Sequence, residues 1–238
     1  MRLDKECLKR GLLDSRNKVQ EFILKGFVFV NGKVCYKNSL EVSQKDFIEL
    51  KAQKIFVSRA GEKLYYFLKE KQDFISLKDK KALDVGSSTG GFTQVLLELG
   101  AKRIVCVDVG KDQLHTSLKE NEKVELHEKM DIRDFITNEN FEVVVCDVSF
   151  ISLEQILTSL QKFAASWLIL LFKPQFEVGK EAKRNKKGVV QEEQKIQAKL
   201  ELILKQLEQI GFKIRFVEKS KVKGKEGNEE FFIAAKRL

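Results

Sequence analysis

The stretch "LDVGSSTGGFTQ", residues 83–94, decides the fold. It reads as a strand ending at Gly86, a turn of small residues, and a helix opened by Gly91. Glycines at such a turn let backbone N–H groups approach a ligand at a helix N-terminus, because no Cβ stands in the way. Gly86, Ser87, Ser88, Thr89, Gly90, Gly91 and Phe92 are therefore candidate cofactor-binding residues. The next apolar run ends near Asp108, 22 residues beyond Gly86, where a carboxylate can hold ribose hydroxyls.

The loop discriminates among nucleotide ligands. The dinucleotide fingerprint G-x-G-x-x-G would fall on Gly86-x-Ser88-x-x-Gly91, and its second glycine is missing. That glycine gives the pyrophosphate its closest backbone approach. No Gly-Lys-Ser/Thr follows, so a triphosphate-binding loop is absent as well. A ligand with ribose and adenine but no phosphates fits better, which points to S-adenosylmethionine as cofactor. Asp131, after the third strand, either meets the adenine amino group or stands as a surface carboxylate opening a helix over "DIRDFI".

Outward from the loop, apolar runs alternate with amphipathic ones. Strands are expected over residues 81–86, 103–109, 124–128, 141–148 and 167–173, with helical patterns such as "GFTQVLLELG" and "SLEQILTSLQKFA" between them. Continuous apolar runs spaced this way predict a parallel, doubly wound α/β sheet. The tail departs from it: helix "QEEQKIQAKLELILKQLEQIG" leads to strands "FKIRFVEKS" and "EFFIAAKRL", whose short link makes them antiparallel. Five parallel strands plus a terminal antiparallel hairpin resemble the Rossmann-like class I methyltransferase fold, a mostly parallel seven-stranded sheet. Ligands in such sheets bind beyond the carboxyl ends of the strands.

Several strands finish on charge. The fourth ends at Asp147, the fifth at Lys173 in "LILLFKPQF", and the last begins near Glu229 and Glu230. The last strand runs backwards, so its start lies beside the finishes of the others. Lys63 stands on the helix feeding the first strand, whose apolar face is Leu64, Phe67 and Leu68. A lysine placed like Lys63 on a helix is most often solvated, Asp147 reads also as a helix cap, and the glutamates as exposed strand residues. Lys173 is harder to dismiss, because an interior strand seldom ends on a lysine without a task. Two lysines and two carboxylates at one mouth suit methyl transfer to a hydroxyl: a lysine steers or accepts the proton, and the carboxylates orient the lysines. Pro174, the single proline of the chain, has no N–H and is expected to stop the ladder and lead the chain away from the cleft.

The first fifty residues form a different unit. "SRNKVQEFILKGF" has Ser15 as N-cap, Val19, Phe22 and Ile23 at helical spacing, and Gly26 to end it. "FVFVNGKVC" follows, with Asn31-Gly32 as a two-residue hairpin turn, and a strand around residues 47–50 closes the unit. The series Arg2-Leu3-Asp4, Gly11-Leu12, Ser15-Arg16, Gly26 and Val28-x-Val30-Asn31-Gly32 resembles the S4 RNA-binding domain, an α+β module. That resemblance makes Arg2, Arg16, Lys18, Lys33 and Lys37 candidate phosphate contacts.

Composition agrees with a soluble protein that handles a polyanion. The 238 residues are 43% hydrophobic and 33% charged, with a formal charge of +9. Residues 1–59 carry 13 basic against 7 acidic side chains, so a quarter of the chain holds two-thirds of the surplus. The loop "GKEAKRNKKGVV" adds Lys180, Lys183, Arg184, Lys186 and Lys187, either a grip on RNA backbone or a basic surface loop. The cysteines Cys7, Cys35, Cys106 and Cys146 form no CxxC pair, so neither zinc nor a disulfide scaffold is expected. The start "MRLDKECLKR" is no secretory signal, and "FAASWLILLF" is about half the length that spans a bilayer, so a cytoplasmic location is expected. Domains are expected at 1–53 (S4-like), 54–59 (linker) and 60–238 (methyltransferase).

Lys63 in "SRAGEKL", the loop "DVGSSTGGFT", Asp147 in "CDVSF", Lys173 in "FKPQFEVGK" and Glu230 in "GNEEFF" match in order the Lys-Asp-Lys-Glu tetrad of FtsJ-like ribose 2′-O-methyltransferases. With the S4-like module, nearly the whole chain resembles the TlyA, or hemolysin-like, family. The resemblance implies 2′-O-methylation of a cytidine in ribosomal RNA, with S-adenosylmethionine as donor and ribosomal RNA or a ribosomal subunit as partner. It also implies, from the short ends, action on large-subunit 23S RNA alone. Glu230 is preferred over Glu229 by its spacing to Phe231-Phe232. Base N-methylation is disfavoured because "DVSF" lacks the two prolines of that motif. A membrane-damaging toxin is disfavoured because no apolar segment is long enough to span, and binding without catalysis because all four residues are present.

Overall fold

The structure, a computed structural model, describes residues 1–51, 54–224 and 226–238. The chain divides into two compact units, Met1–Ile55 and Phe56–Leu238. The expected boundary at residue 53 falls on Ala52 and Gln53, outside the described residues.

In the first unit, helices α1 (Leu3–Lys9) and α2 (Arg16–Leu24) precede a three-stranded antiparallel sheet of β1 (Val28–Val30), β2 (Lys33–Val34) and β3 (Ile48–Leu50), in the order β2-β1-β3. Ser15 accepts the Lys18 N–H and caps α2. Asn31 and Gly32, with φ of 49° and 78°, make the tight turn between β1 and β2. Leu3, Cys7, Val19, Phe22, Ile23, Val28 and Ile48 fill a small core of its own. Fifty residues bury little surface, so polar anchoring matters, and Asp4 supplies it. Its fully buried carboxylate accepts from Arg2, Arg16 and Gln20. These donors, Arg2 first, hold its pKa well below the usual carboxylate range.

The second unit starts with α3 (Arg59–Lys69) and continues with β4 (Lys81–Val85), α4 (Gly91–Glu98), β5 (Arg103–Asp108), α5 (Thr116–Lys119) and β6 (Val124–Glu128). Then come β7 (Phe141–Cys146), α6 (Leu157–Phe163), β8 (Ala164–Phe172), α7 (Pro174–Glu177), α8 (Glu193–Gln209), β9 (Phe212–Lys219) and β10 (Phe231–Arg237). The seven strands lie in the order β6-β5-β4-β7-β8-β10-β9. β4 to β8 are parallel, and β10 inserts antiparallel between β8 and β9. Alternate residues serve opposite faces: Leu83, Val85, Val105, Val107, Val144 and Cys146 pack toward α6 and α8, whereas Ala82, Ile104, Cys106, Val143 and Val145 pack toward α3 and α4. Burial on both faces is why these strands read as continuous apolar runs. All four cysteines are free and buried.

Two local expectations change. The helix expected over "SLEQILTSLQKFA" is split into a 3-10 turn, Leu153–Gln155, and α6, and β8 begins at Ala164, three residues before Trp167. The early start follows from pairing of Ala164 with Phe141 across a register shift. "DIRDFI" forms a turn and no helix, because the Asp131 carboxylate takes the Arg133 N–H and guanidinium and Ile132 and Phe135 drop into the core. No helix among the described residues is long and apolar enough to cross a membrane.

Candidate active site

The sheet reverses its winding between β4 and β7, and the crevice beyond their carboxyl ends is where ligands of such sheets bind. Gly86 leaves β4 at this point with φ of 79°, and a Cβ on it would lie 2.8 Å from the Asp147 carbonyl oxygen at the end of β7. Only glycine allows the two chain segments to come this close.

The three charged strand-end residues Asp147, Lys173 and Glu230 and the α3 residue Lys63 meet in one cavity of about 610 Å³. Asp147 follows β7 and Lys173 follows β8, and their side chains form an ion pair at 2.6 Å. Glu230 precedes the antiparallel β10, and its Oε2 accepts from Lys63 Nζ at 2.6 Å. Lys63, Lys173 and Glu230 are 7%, 9% and 2% exposed, which is rare for such groups unless they are paired. Lys173 Nζ also donates to Ser149 Oγ at 3.0 Å. Glu229 points elsewhere: it is exposed and pairs with Lys219. The cavity therefore holds Glu230, and Glu229 lies outside it.

Pro174 does something other than what its sequence position suggested. It occupies the first position of α7, where its fixed φ suits a helix start and its missing N–H is not needed. The turn does not lead the chain away from the cleft. It lays Gln175 and Phe176 along the cavity wall. Ser149, Gln175 and Asn228 line the cavity too, and none was singled out from sequence. For Ser149 and Gln175 the available signal was adjacency, since each stands two residues from Asp147 or Lys173. Asn228 carried no comparable signal: it is buried and accepts the Val190 N–H from a distant loop.

A second cavity, of about 340 Å³, shares Gly86, Ser88, Asp147, Ser149 and Phe150 with the first and extends past Asp108 and Asp131. Ser87, Thr89 and Phe92 face the first cavity. Asp108 accepts the N–H groups of Ser88 and Gly110, both at 2.7 Å, which ties the loop to the end of β5. Gly90, with φ of 89°, packs so tightly under Leu114 and Leu118 that a Cβ would overlap both. Gly91 opens α4 against Gly61 of α3. Among the described residues lining the second cavity, the charged ones are all carboxylates: Asp108, Asp131 and Asp147. That set of acceptors fits a cationic nucleoside ligand better than a pyrophosphate. Asp131 is engaged by Arg133 at 2.6 Å, which lowers its pKa.

Beneath the loop, Asp84 is fully buried, with Oδ2 accepting from Thr93 Oγ1 at 2.6 Å and Oδ1 without a hydrogen-bond partner among the described residues. Burial pushes its carboxyl from 3.8 up to about 7. Between those values the folded protein holds a proton that the unfolded chain has lost. Stability from this group therefore falls as pH rises from about 4 to about 7, by on the order of 4 kcal/mol. Asp84→Asn, which stays neutral, should remove that part of the slope in urea unfolding of the ligand-free protein. Parallel pH profiles for the two proteins would contradict it.

The basic candidates divide. Arg2 and Arg16 share Asp4, Lys18 pairs with Asp14 at 3.5 Å, and Lys33 and Lys37 are exposed with no ion pair among the described residues. Lys183 is exposed. Arg184 is not a free cation reaching outward. Its guanidinium donates to the carbonyls of Gln175, Gly179, Lys180 and Ala182, stapling the basic loop to α7.

The family model described as FtsJ-like methyltransferase matches residues 56–237, and the S4 domain model matches residues 1–48. The 23S rRNA (cytidine-2′-O)-methyltransferase TlyA of Campylobacter jejuni is 45% identical over 98% of this chain and 98% of its own length. This chain belongs to the TlyA family of FtsJ-like methyltransferases. The 16S/23S rRNA (cytidine-2′-O)-methyltransferase TlyA of Mycobacterium tuberculosis is 34% identical over 98% of this chain and 88% of its own. A solved structure named as a hemolysin of Streptococcus thermophilus superposes with a TM-score of 0.74 at 32% identity, covering all of this chain and 88% of that one. That likeness covers both units, as does the likeness to the relatives named as methyltransferases.

Proposed function

We propose that this protein transfers a methyl group from S-adenosylmethionine to the ribose 2′-hydroxyl of a cytidine in ribosomal RNA, that of the large subunit. One observation carries the reading: two buried lysine–carboxylate pairs, Lys173–Asp147 and Lys63–Glu230, face one cavity that opens into the crevice of the glycine loop. S-adenosylmethionine, when bound, supplies an already activated cationic methyl group.

The remaining work falls to the chain. Gly86 to Phe92 shape the floor on which the cofactor rests, and Asp108 and Asp131 are its ribose and adenine acceptors. Lys173 Nζ donates to Ser149 Oγ and is held by charge against Asp147, whose Oδ1 lies 2.6 Å away. The same nitrogen meets the attacking hydroxyl, and Asp147 keeps the lysine aimed. Lys63 and Glu230 fix the opposite wall. The hydroxyl proton, whose loss is the difficult part of the transfer, passes to the Lys173 nitrogen in its neutral amine form. The S4 unit captures RNA through Arg2, Arg16, Lys18, Lys33 and Lys37, assisted by Lys183. The 45% identity to a relative named for 23S RNA supports the large-subunit assignment.

The test is incubation with ribosomal RNA from cells lacking this gene, followed by mapping of modified nucleosides. New 2′-O-methylcytidine in 23S RNA is expected, and a methylated base in its place would overturn the assignment. In the same assay Lys33→Glu with Lys37→Glu should raise the KM for RNA about tenfold. It should also lower the salt slope of RNA binding by about two, with the KM for cofactor unchanged.

A further inference from the structure

Beyond the four charged residues, Gln175 has a place in the site that its chemistry does not otherwise explain. It stands on the first turn after Lys173, and its Nε2 donates to Glu230 Oε1 at 3.3 Å. Glu230 Oε2 is the oxygen that holds Lys63. The two carboxylate oxygens thus have separate partners, one from α3 and one from α7. On another side Gly224 comes close, since a Cβ on it would stand 2.6 Å from Oε1. The orientation of the amide is dictated by chemistry. A flipped amide would set its carbonyl against a carboxylate, and both are acceptors.

The other half of the amide is the telling part. Gln175 Oε1 is buried and has no hydrogen-bond partner among the described residues. An unsatisfied buried acceptor costs about 1–3 kcal/mol, and native proteins keep few of them. Gln175 therefore gains little for the fold where it sits. What it does is hold one oxygen of Glu230. Its backbone is held in turn by Arg184, whose Nη2 donates to the Gln175 carbonyl oxygen at 3.4 Å.

We infer that Gln175 is a positioning residue for methyl transfer, clamping Glu230 so that the carboxylate presents its other oxygen to Lys63. The inference rests on the proposed function and adds a further side chain to its site. Without the clamp the carboxylate turns about its last torsion, and the Lys63 ammonium follows it. A displacement of about 1 Å at such a site is enough for a hundredfold loss of rate. A 3.3 Å contact is long for a charged acceptor, as such bonds often are before substrate enters.

The test uses the full-length protein with 23S ribosomal RNA lacking the modification, with wild type and Lys173→Ala measured alongside. Gln175→Met keeps the length of the side chain and removes the amide. It should lower kcat between tenfold and a hundredfold, with the melting temperature, cofactor affinity and KM for RNA little changed. Gln175→Glu gives a second, independent reading. Two carboxyl groups in contact share a proton, and the protonated form can donate to Glu230 as the amide does. Its activity should fall as pH rises through that shared titration, a limb the wild type lacks. Wild-type kcat in Gln175→Met, or a wild-type pH profile in Gln175→Glu, would overturn the inference while leaving the proposed function standing. An inactive wild type would overturn the proposed function itself.

Discussion

Lys173→Ala should abolish methylation of ribosomal RNA, by a factor of about 10² to 10⁴ in kcat, while S-adenosylmethionine still binds within about twofold of wild type. The range is what a positioned proton-handling group contributes. Cofactor binding survives because Lys173 lines only the first cavity, whereas the second is built from the glycine loop and the ends of β5 and β6. A loss of rate from unfolding must be kept apart from a loss of chemistry. Removing Lys173 leaves Asp147, whose side chain is 11% exposed, without its cation, and broken buried pairs destabilise proteins by several kcal/mol. Lys173→Arg separates the two effects. It restores a charge beside Asp147 and so recovers much of the melting temperature. Its planar fork cannot place a single ammonium between Asp147, Ser149 and the hydroxyl, so activity should stay lost. Retained methylation in Lys173→Ala would remove Lys173 from the mechanism.

How such residues could be found from sequence depends on where their signals lie. Lys173 was visible because it ends an apolar strand, and a charge there breaks a local pattern. The same locality exposed the glycine loop, the Asn31-Gly32 turn and the antiparallel ending of the sheet. Lys63 and Glu230 are a different case. They lie 167 residues apart, and only the insertion of β10 beside β8 brings them together at 2.6 Å. The strand-end position of Glu230, the place of Lys63 on the helix feeding the first strand, and family likeness suggest that they share a mouth, but which carboxylate takes which lysine is a tertiary fact. Arg184 shows the limit most clearly. Within a basic loop it reads as one more phosphate contact, yet its partners are four backbone carbonyls, and every residue has one. "DIRDFI" misleads for a related reason: its first aspartate can cap a helix or close a turn on its own arginine, and the burial of Ile132 and Phe135 decides.

The glycines of the second unit carry the other large effect, and Gly91→Ala is expected to disturb the fold and the chemistry together. Gly91 is the first residue of α4, directly after the glycine-rich turn, and Gly61 lies in α3, two residues before Lys63. A Cβ on Gly91 would stand 2.2 Å from Ser58 Oγ and 2.6 Å from the Gly61 backbone nitrogen. The serine could rotate away, but the backbone cannot, so α3 must shift. Overpacking of this kind costs about 1–3 kcal/mol, which for a protein of this size lowers Tm by roughly 2–12 °C. The functional loss should be larger than the stability loss implies. The shift moves Lys63 away from Glu230 and lifts the loop that floors the cofactor site, so cofactor affinity falls about tenfold and the methylation rate at least a hundredfold. Gly211→Ala provides the contrast. Gly211 has φ of 88° with open space around its would-be Cβ, so alanine there suffers backbone strain and no collision. That variant should lose a comparable amount of stability and keep its methylation rate. If Gly91→Ala also kept its rate, the close approach of α3 to α4 would be a packing detail, and Lys63 would not depend on it for its position.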